Sequence, residues 1–80
     1  MSCTLSKMHY ISGETPAKPF NALARIRYKA HEQEAVVTPL EGQRACVTFS
    51  HPQRAITPGQ AAVFYGGEDG DEVLCGGIIE

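Results

Sequence analysis

The stretch Thr57-Pro58-Gly59-Gln60-Ala61-Ala62-Val63-Phe64-Tyr65 decides how the rest of the chain reads. Proline presets its own φ and glycine accepts a positive one, so Pro58-Gly59 is a tight turn. The run over residues 61–65 that follows carries strand character, and the whole segment reads as a turn that launches a buried strand.

Upstream, the alternation is clearest over residues 20–29. Phe20, Ala22, Ala24, Ile26 and Tyr28 fall on one face, and Asn21, Leu23, Arg25, Arg27 and Lys29 on the other. Successive strand side chains point to opposite faces, so this strand is apolar on one side and basic on the other. Residues 30–34 are polar and read as a loop. Residues 35–40 are rich in β-branched side chains, and Glu41-Gly42 reads as a two-residue connection into a strand over 43–49, which makes a hairpin. Residues 4–10 alternate weakly, with Leu5 separated from Met8 and Tyr10 by polar residues, and predict an edge strand. Between them, Ser12-Gly13, Pro16 and Pro19 exclude a helix interior and predict an extended connection.

Residues 50–56, with His51-Pro52, predict an irregular crossing into the opening turn. Beyond Tyr65, the loop Gly66-Gly67-Glu68-Asp69-Gly70-Asp71 precedes a last strand over 72–79, where Gly76-Gly77 predicts a bulge or a close backbone approach. Six short strands without helical periodicity predict an all-β fold, a single small six-stranded antiparallel β-barrel. Closure would remove the exposed edges that so short a sheet otherwise presents.

Composition agrees with a compact domain. The chain has 80 residues, 42% of them hydrophobic and 20% charged, which suits one globular domain rather than a disordered segment. No run approaches the roughly 18 apolar residues of a membrane span, and the N-terminus lacks a basic-then-apolar secretory pattern, so a cytoplasmic protein with no membrane partner is expected. A formal net charge of −2 argues against nucleic-acid binding through bulk positive charge. The charges are unevenly placed, however: Glu68, Asp69, Asp71 and Glu72 crowd one late loop, and Lys18, Arg25, Arg27 and Lys29 cluster upstream.

Most candidate chemistry has a plain structural account. Cys3, Cys46 and Cys75 are widely spaced and odd in number, matching neither a disulfide framework nor a zinc site, and Cys46 and Cys75 are expected as small buried core residues. His9, His31 and His51 lie too far apart for a ligand set and are expected in exposed loops. The acidic group lacks the ordered spacing of a calcium loop and reads as a solvated turn. Neither glycine pair feeds a helix, which a phosphate loop requires, so both are assigned to turn and barrel geometry. No catalytic, metal or cofactor residues are therefore expected. The basic stripe Arg25, Arg27 and Lys29, with Tyr28 in its midst, has two open readings: a surface for a phosphate backbone, or the solvated outer face usual for an antiparallel strand.

Three pieces carry a family resemblance: Ala24-Arg25-Ile26-Arg27-Tyr28, the stretch over 57–65, and Val73-Leu74-Cys75-Gly76-Gly77-Ile78-Ile79. With the lead-in over residues 6–19, they resemble the C-terminal domain of bacterial tRNA-specific 2-thiouridylases across nearly the whole chain. Cys75 stands where that family usually carries a third glycine, and the acidic loop is longer than usual; both bear on local strand geometry.

The resemblance implies a barrel similar to the second domain of elongation factors. It implies that residues 4–80 form the C-terminal domain of a larger enzyme, with residues 1–3 as an inter-domain or added start. The parent would be an ATP-dependent sulfurtransferase that thiolates the wobble uridine of tRNA, with ATP and the catalytic cysteines in missing upstream domains and no catalytic centre here. Implied partners are tRNA in its anticodon region, the upstream domains, and a sulfur-carrier protein or cysteine desulfurase. The barrel would help bind tRNA through Arg25, Arg27 and Lys29 and close the active site. The alternative is an inter-domain packing module that does not touch RNA.

Overall fold

The computed structural model describes residues 2–26, 33–51, 57–66, 70 and 72–80. Every regular element among them is a strand: β1 (Ser2–Tyr10), β2 (Phe20–Ile26), β3 (Gln33–Leu40), β4 (Arg44–Phe49), β5 (Ala61–Gly66) and β6 (Glu72–Ile79). They close into one antiparallel barrel in the order β1-β4-β3-β2-β5-β6, with β6 pairing back onto β1. The meander β2-β3-β4 and the hairpin β5-β6 are thus joined through β1 on one side and the β2-β5 pair on the other.

The Pro58-Gly59 turn forms as its residues dictate. Gly59 has φ of +90°, the Gln60 amide donates to the Thr57 carbonyl at 3.3 Å, and the Thr57 amide donates to Gln60 Oε1 at 3.0 Å. Proline before a positive-φ glycine is the pattern of a type II turn. Its amides and carbonyls also reach β6: the Gly59 amide donates to the Ile79 carbonyl at 2.7 Å, and the Ile79 amide to the Gln60 carbonyl at 2.8 Å.

The alternation on β2 is realised as expected, with Ala22 and Ala24 buried and Asn21 and Arg25 exposed. Phe64, Val37 and Val47 are fully buried, and five alanines, Ala22, Ala24, Ala35, Ala45 and Ala62, share the interior with them. Small inward side chains suit a barrel of only six strands, whose interior must also hold Phe64, Phe49 and Tyr10.

Two local shifts explain where alternation fails. In β1 the register runs Leu5↔Ile79 and Ser6↔Ile78, then resumes at His9↔Gly76, so β1 carries one extra residue; Lys7, at φ 53°, lies inside the shift. The bulge moves the inward set from Leu5 to Met8 and Tyr10, a spacing of three, and this is why residues 4–10 alternate weakly. The second shift lies between Phe64↔Cys75 and Tyr65↔Val73, where Leu74 is the extra residue. Gly76 and Gly77 pair regularly with Val63 and Ala62, so neither is the bulge. Gly77 makes the close approach instead: a Cβ there would lie 2.5 Å from Met8 Sδ and 3.0 Å from the Ser6 carbonyl oxygen.

Other boundaries differ from the expectations. β1 begins at Ser2 rather than Thr4, and β3 begins at Gln33, so Gln33 and Glu34 leave the expected loop to pair with Ala24 and Leu23. Leu40↔Arg44 is the last pair of the β3-β4 hairpin, so its connection has three residues, not two. Gly42 and Gln43 both adopt positive φ, 72° and 58°, and the Gln43 carbonyl accepts the Met8 amide at 2.8 Å. Three-residue loops commonly end in a left-handed residue, and Gln43 fills that position at some conformational cost.

Gly77→Ala is expected to lower stability by about 1–3 kcal/mol, as overpacking of a filled interior does. Urea unfolding checks it, and pairing the change with Met8→Ala should recover only part of the loss, because the Ser6 carbonyl is backbone and stays in place.

Candidate nucleic-acid interface

Barrel closure brings β5 beside β2, and their outward side chains form rows. Leu23 on β2 lies opposite both Tyr65 on β5 and Glu34 on β3, giving a row Tyr65–Leu23–Glu34 across three strands. Asn21 opposite Val36 forms the next row. Arg25 lies opposite Val63, diagonal to Tyr65, and its guanidinium carbon is 5.0 Å from the Tyr65 ring centroid. Diagonal cross-strand neighbours of this length can touch, and a guanidinium over an aromatic face is held by the ring quadrupole.

A groove of about 500 Å3 opens along these rows, lined by Asn21, Leu23, Glu34, Val36, Ser50 and Tyr65 and closed off by Gly66 and Gly70. Arg25 lies outside the lining, with its guanidinium over the ring of Tyr65, which is part of it.

Of the three residues expected to contact RNA, Arg25 is exposed on this outer face. Arg27 and Lys29 lie outside the described residues, as do Tyr28, His31, most of the expected crossing over 50–56, and Glu68, Asp69 and Asp71. Tyr65 is an aromatic that the sequence alone does not single out, because the run 61–65 reads as buried wall. Its signal was available: with Phe64 inside, strict alternation turns Tyr65 outward. Arg44, another exposed arginine, is engaged elsewhere. Its Nε and Nη2 donate to the two Glu80 carboxylate oxygens at 2.9 Å each, and those hydrogen bonds hold the Glu80 carboxyl below its ordinary pKa.

A second hollow of about 500 Å3 has the opposite character. Tyr10, Ile11, Pro16, Phe20, Val73 and Leu74 line it, with Ile11 60% and Val73 41% exposed. The Tyr10 hydroxyl beneath is buried and has no hydrogen-bond partner among the described residues, and burial, with a smaller contribution from Cys75, raises its pKa.

The cysteines divide. Cys75 is buried as expected, opposite Phe64 and Tyr10 on the inner wall. Cys46 is not a core residue: its neighbours Ala45 and Val47 take the inward positions, so alternation turns Cys46 outward, half-buried and opposite Thr4. His9 is exposed but on a strand rather than a loop. Among the described residues, no group of three or more His, Cys, Asp or Glu side chains could hold a metal ion.

Residues 1–79 match the family described as the aminomethyltransferase beta-barrel domain. The chain belongs to that barrel-domain family. It is also similar to curated proteins named tRNA-specific 2-thiouridylase MnmA. The Trichormus variabilis protein is 47% identical over 78 residues, covering 98% of this chain and 21% of the relative. Caldanaerobacter subterraneus MnmA 2 is 54% identical over 72 residues, covering 90% of this chain and 19% of the relative, and the Roseiflexus castenholzii protein is 53% identical over 73 residues, covering 91% and 19%. The chain thus spans about a fifth of the length of these relatives. The family description names a barrel, so membership establishes the domain and not a reaction.

Cys75 yields a test of the inner wall. Desolvation pushes its thiol up from 9.0 to about 11. A raised folded-state pKa leaves stability intact below 9 and removes it as pH rises, because the unfolded chain releases the proton first. The melting temperature should therefore fall between pH 9 and about 11, with Tyr10 acting in the same direction from pH 10 upward, and Cys75→Ala should flatten the fall. In native protein, iodoacetamide should modify Cys46 well before Cys75, as mass spectrometry of the labelled peptides would read.

Proposed function

We propose that this chain is the barrel domain of an ATP-dependent tRNA sulfurtransferase that 2-thiolates the wobble uridine, and that it helps bind tRNA and close the active site. The observation that carries the reading is the match to proteins named tRNA-specific 2-thiouridylase over up to 98% of this chain. In such an enzyme ATP activates the uracil oxygen and sulfur arrives as a persulfide, delivered to the parent by a sulfur carrier or cysteine desulfurase in the cytoplasm. ATP and the catalytic cysteines belong to upstream domains. The barrel's part is placement.

Arg25, Arg27 and Lys29 are the residues assigned to tRNA phosphates. Exposed Arg25 beside half-buried Tyr65 supports this, since a cation and an aromatic on one sheet face suit a strand with both phosphates and bases to offer. Net charge is −2, so such contact rests on local charge and is expected to be salt-sensitive.

The apolar hollow at Ile11 and Val73 favours a second reading, in which the barrel packs on the upstream domains and contacts RNA little. The two are separable in the full-length protein. Arg25→Ala with Arg27→Ala should weaken tRNA binding and reduce its log–log salt slope by about 1–2, measured by filter binding across a salt series. Ile11→Ser with Val73→Ser should lower the melting temperature and leave tRNA affinity alone. Unchanged tRNA affinity at low salt in the arginine variant would leave only the packing reading.

A further inference from the structure

We propose that the groove beside Tyr65 holds one unpaired nucleobase of an RNA strand whose phosphates pass Arg25; this rests on the RNA-contact reading above and assigns the base its place.

Four features of the groove fit a base better than other occupants. Tyr65 forms one wall and carries the Arg25 guanidinium over its ring, and single-stranded bases stack on aromatic rings and arginine planes. Leu23 and Val36 give an apolar floor, with Val36 37% exposed. At the rim, the Asn21 amide, the Ser50 hydroxyl and the Glu34 carboxylate offer a donor, a donor–acceptor and an acceptor, the mix that a base edge requires. Gly66 and Gly70 add only backbone to the lining.

Charge sets the direction of entry. Glu34 at the groove rim repels a phosphate, whereas Arg25 lies outside the lining, over the Tyr65 ring. The phosphate is thus expected on the Arg25 side and the uncharged base on the Glu34 side, the polarity of a nucleotide laid across Tyr65. A free nucleoside triphosphate fits poorly, since it would need several cationic or amide donors at its phosphates. A protein partner suits the other hollow, where apolar exposure is greater at Ile11 and Val73.

The test is an NMR titration of the isotope-labelled 80-residue chain with a mixed-sequence hexaribonucleotide and with an abasic hexamer carrying the same phosphates. The intact hexamer should shift the amides of Asn21, Leu23, Val36 and Tyr65. Tyr65→Ala should weaken it about ten-fold, as loss of one base stack does, while Tyr65→Phe keeps the affinity. The abasic hexamer should bind the unaltered chain as weakly as the intact one binds Tyr65→Ala, and this arm needs no variant to fold. Equal binding of intact and abasic hexamers overturns the base site while leaving phosphate contact standing. No binding at low salt removes both, and shifts centred on Ile11, Val73 and Leu74 assign the contact to the apolar hollow instead.

Discussion

The passage of the Gly77 backbone against Ser6 and Met8 is the constraint on which the barrel depends. β6 must lie against β1 for the sheet to close, and at that seam a Cβ on residue 77 would fall 2.5 Å from Met8 Sδ. The Lys7 bulge sits on the other side of the seam and turns Met8 inward again after the extra residue. Without closure, β1 and β6 would each present an open edge, and the interior packed around Phe64 would be exposed to water. The remaining interior follows from the same tightness: five buried alanines leave space for Phe64, and Cys75 fits opposite it.

Closure also builds the outer face. Arg25 and Tyr65 are forty positions apart in the chain, and only the β2-β5 pairing sets them diagonally across two strands. The same pairing aligns Tyr65, Leu23 and Glu34 in one row and so opens the groove beside the ring. The barrel offers two unlike surfaces, one with an aromatic, a cation and polar rims, the other dominated by Ile11, Val73 and Leu74. A domain that touches both RNA and its own neighbouring domains would use surfaces of these two kinds.

Much of the fold was legible because local chemistry and tertiary demand agree. Pro58-Gly59 favours its turn through local φ preferences, and the alternation from Phe20 to Ile26 has one apolar face to bury. The candidate site was legible only as Arg25 on a basic face. Tyr65 was missed because an apolar run reads as buried throughout, when a strand buries only alternate residues in a barrel wall. Cys46 was misplaced by the same error of composition over phase: a small apolar residue between Ala45 and Val47 sits where the pleat turns outward.

By itself the sequence determined the strand content, the opening turn, the six-strand count and, through its resemblance to the thiouridylase C-terminal domain, the kind of parent to consider. These depend on φ preferences, side-chain period and residue identity, which are local. Only the tertiary structure decided the two bulges, the three-residue hairpin loop, the close pass at Gly77 and the meeting of Arg25 with Tyr65. Each depends on register between strands distant in sequence, and register is set by how all six fill one interior together.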